Sequence, residues 1–201
     1  VCRTRSAADQ TMMFGEYRGQ ILQSFTVTVE FAVLSGALAL ALGTGLAAMR
    51  LAPVPVLRLL GGGYVHLVRN TPLTLLLLLC SFGLSQTLGV TLTDSQSPTS
   101  VDDSNFRLAV LGLGVYTASF VCEAVRAGVN TVGLSFTQNL RIILLPQAFR
   151  AAIVPLGSVF IALTKNTTLA SAIGVAEAAL LMKTMTENTA ALLGVGAVFA
   201  T

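Results

Sequence analysis

Long apolar runs, separated by short polar stretches, occupy most of the chain. Four of them have about the length that a bilayer-spanning helix needs, roughly 20 residues, and they lie near 24–49, 71–88, 108–125 and 148–163. A fifth apolar stretch, 190–201, is too short to cross a bilayer, and we interpret it as a helix cut off midway. The pattern predicts an all-α, polytopic membrane protein with about five transmembrane helices, the last of them truncated.

The stretches between these runs predict the connecting segments. Residues 53–70 intersperse arginines and a histidine with leucine and valine, which favours an amphipathic helix at the membrane surface. Residues 91–105 form a polar loop that contains aspartates. Residues 164–188 are half polar and half apolar, which predicts a short helix returning toward the membrane.

The N-terminal residues are more polar than the first run. The first ten lack the apolar core of a signal peptide. We interpret Met12 or Met13 as the natural start, with the residues before it read through from upstream sequence. Residues 1–23 are therefore assigned to an external or interfacial segment, partly non-native, and 24–201 to the transmembrane domain.

The composition excludes a water-soluble single domain. Hydrophobic residues make up 54% of the chain and charged residues 10%, and the mean hydropathy is +0.78. Soluble domains usually carry about 25% charged residues. The net charge of +3 is small, so the positions of the charges carry more information than their sum, and no nucleic-acid partner is expected.

The arginines predict an orientation in the membrane. Three arginines follow the first run and three follow the third: Arg50, Arg58, Arg69, Arg126, Arg141 and Arg150. The loop after the second run instead carries Asp94, Asp102 and Asp103. Because short cytoplasmic connections are enriched in lysine and arginine, we expect the first and third connections to be cytoplasmic and the aspartate loop to be external.

The sequence contains no arrangement typical of catalysis or metal binding. No GxxxxGK[ST] motif occurs, so the chain has no P-loop for ATP. No Ser/His/Asp set, paired carboxylates or CxxC spacing occurs either. The run Gly61-Gly62-Gly63 lacks the context of a phosphate loop, and close approach between helices explains it better. The chain is predicted not to be an enzyme and to bind no metal.

A few charges near the ends of the runs are candidates for contact with a solute. Ionisable groups within a membrane are costly and often functional. Lys165 can meet a carboxylate, while Asn166, Thr167 and Thr168 offer neutral hydrogen bonds. The alternative for Lys165 is an interfacial lysine whose ammonium reaches the headgroups.

Two glutamates near these runs are weaker candidates for contact with a solute. Glu30 is a second candidate for the pathway, although it can equally lie at the depth of the interface. Glu123 has Arg126 three residues later on the same helical face, so an ion pair is the better interpretation.

The polar stretch after the third run carries a spacing motif. Gly133 stands ten residues before Ile143, and Leu145-Pro146 follows it. This spacing matches the second half of E-A-A-x3-G-x9-I-x-L-P, the pattern of a cytoplasmic loop in membrane subunits of ABC importers. Two further blocks, VRNTPLTLLLLLCSFGL (68–84) and LPQAFRAAIVPLGSVFIALTKNTTLASAIG (145–174), are similar to elements of polar-amino-acid permeases. The chain therefore resembles this permease family, and within it actinobacterial glutamate permeases.

The resemblance implies a type I ABC importer permease fold and a multi-pass protein of the cell membrane. It implies a subunit that passes glutamate, or a related polar amino acid, from an external solute-binding protein through the bilayer. The expected partners are ABC ATPase subunits and a second permease subunit, identical or paralogous. ATP is used by the ATPase and no cofactor is bound by this chain. The coupling residues carried over from the motif are Gly133, Ile143, Leu145 and Pro146.

The chain departs from the family in the first half of the motif. The E-A-A should occupy 127–129, which read Ala-Gly-Val, and the EAV that begins at Glu123 is four residues too early. We infer that about a dozen residues of the loop are missing between Val132 and Gly133. Two alternatives stay open at this point: a nonfunctional fragment of such a permease, and a small structural or channel membrane protein that would not need the Gly133–Pro146 spacing.

Overall fold

The computed structural model describes residues 7–87, 100–132, 145–175 and 178–187, and these parts contain helices and turns but no strand. The all-α class predicted from the sequence is confirmed. The elements are α1 (Ala7–Leu51), α2 (Pro55–Arg69), α3 (Leu73–Leu78) with a π-helical continuation (Leu79–Thr87), α4 (Ser100–Val132), α5 (Leu145–Asn166) and a 3₁₀ segment (Thr167–Ile173). Residues 178–187 are also helical.

Three described helical segments are long and apolar enough to cross a bilayer: Arg18–Leu51, Asp103–Asn130 and Arg150–Ile173. A fourth candidate is the pair Pro55–Arg69 and Leu73–Leu84, whose two halves are bent by 102°. The bend separates α2 from α3 at the point where the sequence predicts a surface helix to give way to the second span. The predicted fifth span, 190–201, lies outside the described residues.

The first helix is longer than the apolar pattern predicts. α1 begins at Ala7, so much of the segment assigned to 1–23 is continuous with the first span and is not a separate element. The helix ends at Leu51, just before Pro53, because the residue that precedes a proline disfavours helical torsions. The next helix then begins with Pro55 in its first turn, where the absent N–H has no helical partner to lose.

Helices α1 and α4 form the main packed pair and run in the same direction. The rings of Phe31, near the middle of α1, and Phe106, near the start of α4, lie with centroids 5.7 Å apart. Farther along, Gly43 packs against Val121 and the carbonyl of Ala118. The C-terminal ends of α1 and α4 therefore lie at the same end of the bundle. This agrees with the prediction that the first and third connections lie on one side of the membrane.

The close approach at Gly43 gives a test of this packing. A Cβ at Gly43 would lie 2.6 Å from Val121 Cβ and 2.9 Å from the Ala118 carbonyl oxygen, whereas a Cβ at Gly45 would meet no atom within 4 Å. Overpacking costs about 1–3 kcal/mol, and alanine favours a helix over glycine by about 1 kcal/mol. We expect Gly43→Ala to lower the melting temperature of the purified protein relative to the matched Gly45→Ala variant, measured by circular dichroism in detergent. Equal melting temperatures would contradict this packing.

Helix α5 runs opposite to α1 and α4. Its Phe160 ring lies beside Gly36, and the chain beyond it returns so that the N–H of Ala178 donates to Thr28 Oγ1 at 3.2 Å. Ile173 joins Phe31 in the larger apolar cluster of the described core. The C-terminal end of α5, with Lys165, therefore lies beside the middle of α1, away from Arg50 at the end of that helix.

A glycine turn connects the 3₁₀ segment to the returning chain. Gly174 has φ of 83°, a left-handed conformation that other residues adopt only with strain. The N–H of Val175 donates to the Ala170 carbonyl at 3.3 Å and closes the turn. Residues 178–187 are helical after it, which agrees with the short returning helix predicted for 164–188.

Candidate functional site

A cleft between α4 and α5 is the best candidate for a solute site in the described chain. Its cavity volume is about 350 Å³, which is within the range of small-molecule sites, about 300–1,000 Å³. One wall comes from α4 and the other from α5, and together they comprise Tyr116, Thr117, Phe120, Ser158, Val159, Ala162, Leu163 and Asn166. The lining is mostly apolar, with a few hydroxyl groups and one amide.

Thr117 gives this cleft an unused hydrogen-bonding group. The residue is 3% exposed, and its hydroxyl has no hydrogen-bond partner among the described residues. A buried hydroxyl without a partner costs about 1–3 kcal/mol, so a polar ligand that bonds to it recovers part of that free energy. Asn166, on the facing helix, is half-buried and adds an amide that can both donate and accept.

A positive charge lies close to the aromatic wall of the cleft. The guanidinium carbon of Arg69, at the end of α2, is 5.0 Å from the centroid of the Phe120 ring. The Phe120 and Tyr116 rings pack with centroids 5.2 Å apart. A cation over a ring is attracted to the face of that ring, which holds Arg69 near the cleft, where its charge favours an anionic ligand. The sequence pattern predicts only a role in membrane orientation for Arg69, because its contact with Phe120 joins residues far apart in the chain.

The four predicted solute-contacting residues at the end of α5 have different surroundings. Asn166 lines the cleft, whereas Lys165 is exposed and is not part of the lining. Thr167 is fully buried, and its hydroxyl donates to the Thr164 carbonyl at 2.8 Å. Thr168 is exposed and donates to the Lys165 carbonyl at 2.8 Å. The fold therefore brings only Asn166 of this group to the cleft wall.

Glu30 lies apart from the cleft. It is exposed on α1, in an open recess whose other lining residues also belong to α1: Ile21, Leu22, Phe25, Thr26, Val29 and Val33. This recess is almost entirely apolar, as expected of a helix face that meets lipid or a neighbouring helix. The structure does not bring Glu30 together with Asn166 in one cavity.

The predicted coupling residues lie at the edge of what the structure describes. Gly133 and Ile143 fall outside the described residues. Leu145 is the first residue of α5, and Pro146 lies in its first turn, a position that tolerates proline because the missing N–H has no helical partner there. The helix that contains the fourth apolar run therefore begins at the Leu145-Pro146 pair of the motif.

An ion-pair cluster lies near the C-terminal end of α4. Arg126 Nη1 lies 3.8 Å from Glu123 Oε2, which confirms the pair predicted from their spacing on one helix. Arg50, at the end of α1, also donates to Glu123 through its Nη1. No local spacing in the sequence indicates this second contact, because it joins two different helices.

Comparison with known proteins gives close relatives. No family model matches the chain. The glutamate transport system permease protein GluC of Corynebacterium efficiens is 52% identical over 184 residues, which cover 86% of this chain and 81% of that protein. The glutamate/aspartate import permease protein GltJ of Escherichia coli (strain K12) is 31% identical over 178 residues, covering 81% of this chain and 71% of that protein.

A solved structure has the same fold. The "crystal structure of an amino acid ABC transporter with histidines" matches with a TM-score of 0.72 and 23% identity. The match covers 89% of this chain and 83% of that chain. At this identity the likeness shows a shared fold, and it agrees with the all-helical architecture described above.

The alignments also show that the relatives contain positions with no counterpart here. The alignment with GluC has 184 positions. The part of this 201-residue chain that it covers, 86%, contains fewer residues than that. The alignment with GltJ extends over 178 residues, more than 81% of the chain. Part of each relative is therefore aligned with a gap in this sequence.

Proposed function

The chain belongs to the permease subunits of amino-acid ABC transporters, and we propose that it translocates glutamate, or a closely related polar amino acid, delivered by an external binding protein. The observation that carries this proposal is the 52% identity with GluC over 184 residues. The same relatives disfavour a small structural or channel protein. As a permease, the chain is a transport subunit of the membrane and not itself an enzyme.

The partners that we propose follow from the family of the relatives. In amino-acid ABC transporters the permease is one subunit of an assembly, so we propose that ATP hydrolysis belongs to separate ATPase subunits and that this chain binds no cofactor of its own. A few spans do not enclose a solute path alone, so a second permease subunit, identical or paralogous, is expected to complete it. We assign the assembled importer to the cell membrane, with the arginine-rich end of α1 and α4 facing the cytoplasm.

The proposed pathway passes the cleft between α4 and α5. Glutamate carries a net negative charge, and the cleft offers it the Thr117 hydroxyl, the Asn166 amide and the nearby guanidinium of Arg69. Lys165 directly precedes the cleft-lining Asn166 along α5, and we propose that it meets a substrate carboxylate at the entrance of the cleft. The other residues that we propose for the pathway are Thr167, Thr168 and Glu30.

The proposed contact with the ATPase is the segment from Gly133 to Pro146, which includes Ile143 and Leu145. This segment carries the family spacing and follows the end of α4 where the arginines accumulate. Movement of the ATPase subunits during ATP binding would reach the spans through it.

Uptake of radiolabelled glutamate into proteoliposomes tests the proposal. The permease is reconstituted with its ATPase and binding protein, both as it stands and with the loop insertion described in the Discussion. We expect ATP-dependent glutamate uptake that excess unlabelled glutamate suppresses and that excess arginine leaves unchanged. Absence of uptake by both forms, or uptake that only arginine suppresses, would contradict glutamate as the substrate.

A further inference from the structure

The cluster of Arg50, Glu123 and Arg126 joins the ends of two helices that run side by side. The Glu123 carboxylate accepts a hydrogen bond from Arg50 of α1 and forms an ion pair with Arg126 of its own helix. The side chain of Arg50 is 16% exposed and that of Glu123 is 32% exposed. Both charged groups are thus largely shielded from water. When one partner of such a shielded pair is removed, the charge of the other is left without compensation.

Helix α2 completes the enclosure of this ion pair. A Cβ at Gly61 would lie 2.8 Å from the Cγ atom of Arg50, so the glycine lets α2 pack directly against the aliphatic stem of the arginine. A Cβ at Gly62 or Gly63 would meet no atom within 4 Å. Of the three consecutive glycines, only Gly61 is required by close packing, and it is required at the ion pair.

The position of Glu123 along α4 gives the cluster a further consequence. The helix continues to Val132, about two to three turns beyond Glu123 at 3.6 residues per turn. The proposed coupling segment begins at Gly133. Rigid helices and ion-pair networks can carry displacement between distant sites. At this end of α4, Glu123 adds an ionic contact with α1, through Arg50, to the apolar packing of Cys122 with Ala47 and Val65.

We propose that Glu123 is a positioning residue for coupling: with Arg50 and Arg126 it ties the end of α4 to α1 and α2, so that displacement of the coupling segment moves these helices together. This inference rests on the proposed function of the segment after α4. Without the tie, the end of α4 follows the movement of α1 less closely, and ATP hydrolysis proceeds with less transport. Arg50 forms the ion pair between α1 and α4, and Arg126 forms the ion pair within α4.

A charge-swap series in the reconstituted complex tests the tie. The variants are Arg50→Glu, Glu123→Arg and the double swap, which restores an opposite-charge pair. Arg58→Glu is the matched control, because Arg58 is an exposed arginine of α2 whose described contact is with the Pro53 carbonyl, at 3.3 Å. The first measurement is amino acid transported per ATP hydrolysed. We expect each single swap to lower this ratio at least fivefold, the double swap to return it to within twofold of the unaltered chain, and the control to leave it unchanged.

A distance measurement separates positioning from a general loss of folded protein. Spin labels at Ala48 and Ala127, exposed positions near the ends of α1 and α4, report the separation of the two helix ends in a background whose cysteines are replaced by alanine. We expect the distance distribution to broaden in each single swap and to narrow again in the double swap. Unchanged distances, or a double swap that recovers neither readout, would overturn the inference. Absence of transport by the complex both as it stands and with the loop insertion would instead count against the proposed function, while the distances still decide the tie.

Discussion

Insertion of about a dozen residues carrying the E-A-A turn between Val132 and Gly133 is expected to raise ATP hydrolysis stimulated by the loaded binding protein about tenfold or more. The segment Gly133–Pro146 has the family spacing, but the turn that precedes it in the family is absent from this sequence. A short helix without its first turns loses part of its docking surface, and a loss of about 1.4 kcal/mol in docking free energy corresponds to a tenfold weaker contact.

The alignments support this expectation. The matches with GluC and GltJ are longer than the parts of this chain that they cover, so both relatives contain residues that this chain lacks. A gap of that kind is what the absent turn between Val132 and Gly133 would produce. Gly133 itself is expected to allow the tight entry into the docking helix, where a side chain would cost about 1 kcal/mol if φ is positive.

A glycine/serine insertion of equal length at the same place is the matched control. It restores the length of the loop without the side chains of the E-A-A turn, and such linkers behave as flexible coil. The measurement is ATP hydrolysis by the reconstituted complex with and without loaded binding protein. Full stimulation by the chain as it stands, or equal recovery with the glycine/serine insertion, would show that the E-A-A turn is not needed and that our interpretation of the loop is wrong.

Replacement of Lys165 by methionine is expected to raise the half-saturation concentration for glutamate uptake about tenfold or more. If the ammonium meets a substrate carboxylate, the charge-assisted hydrogen bond contributes about 1.5–3 kcal/mol, which corresponds to at least a tenfold change in affinity. The side chain of Lys165 is exposed at the end of α5, directly before the cleft-lining Asn166. Methionine keeps a similar apolar length, so helix packing should change little.

Lys183→Met is the control for this substitution. Lys183 is an exposed lysine in the helical residues 178–187, and its Nζ lies 3.9 Å from Glu187 Oε1. Its replacement removes the same charge and should leave the half-saturation concentration unchanged, because exposed pairs of this kind contribute little. If Lys165→Met also leaves it unchanged while the amount of permease in the membrane is constant, Lys165 interacts with lipid headgroups and not with the substrate.

Part of the candidate site was predictable from the sequence and part was not. Asn166 was predicted as a pathway residue from its place in TKNTT, and it lines the cleft. Thr117 was not singled out, because a threonine within an apolar run has no distinctive local pattern. Its significance arises only in the folded chain, where its hydroxyl is buried and has no hydrogen-bond partner among the residues that the structure describes. Thr167 and Thr168 look alike in the sequence, but one is buried and the other is exposed.

The sequence by itself determined the properties that depend on neighbouring residues. Runs of apolar side chains require helices that satisfy their own backbone hydrogen bonds within a membrane, and the Gly133–Pro146 spacing with its flanking blocks indicated the permease family. The Glu123–Arg126 pair was also predictable, because residues three apart share a helical face. Each of these properties is encoded in short stretches of neighbouring residues.

Only the tertiary structure decided which helices meet and which side chains they bring together. The contact of Arg50 with Glu123 spans 73 positions of the chain, and Gly61, not its two glycine neighbours, is the one pressed against Arg50. The cleft similarly exists only where the faces of α4 and α5 leave space between them. An apolar run specifies that a helix is buried in lipid or protein, but its composition is nearly the same all round, so the rotation and the partner of each helix are set by packing shape and by a few polar contacts between distant segments.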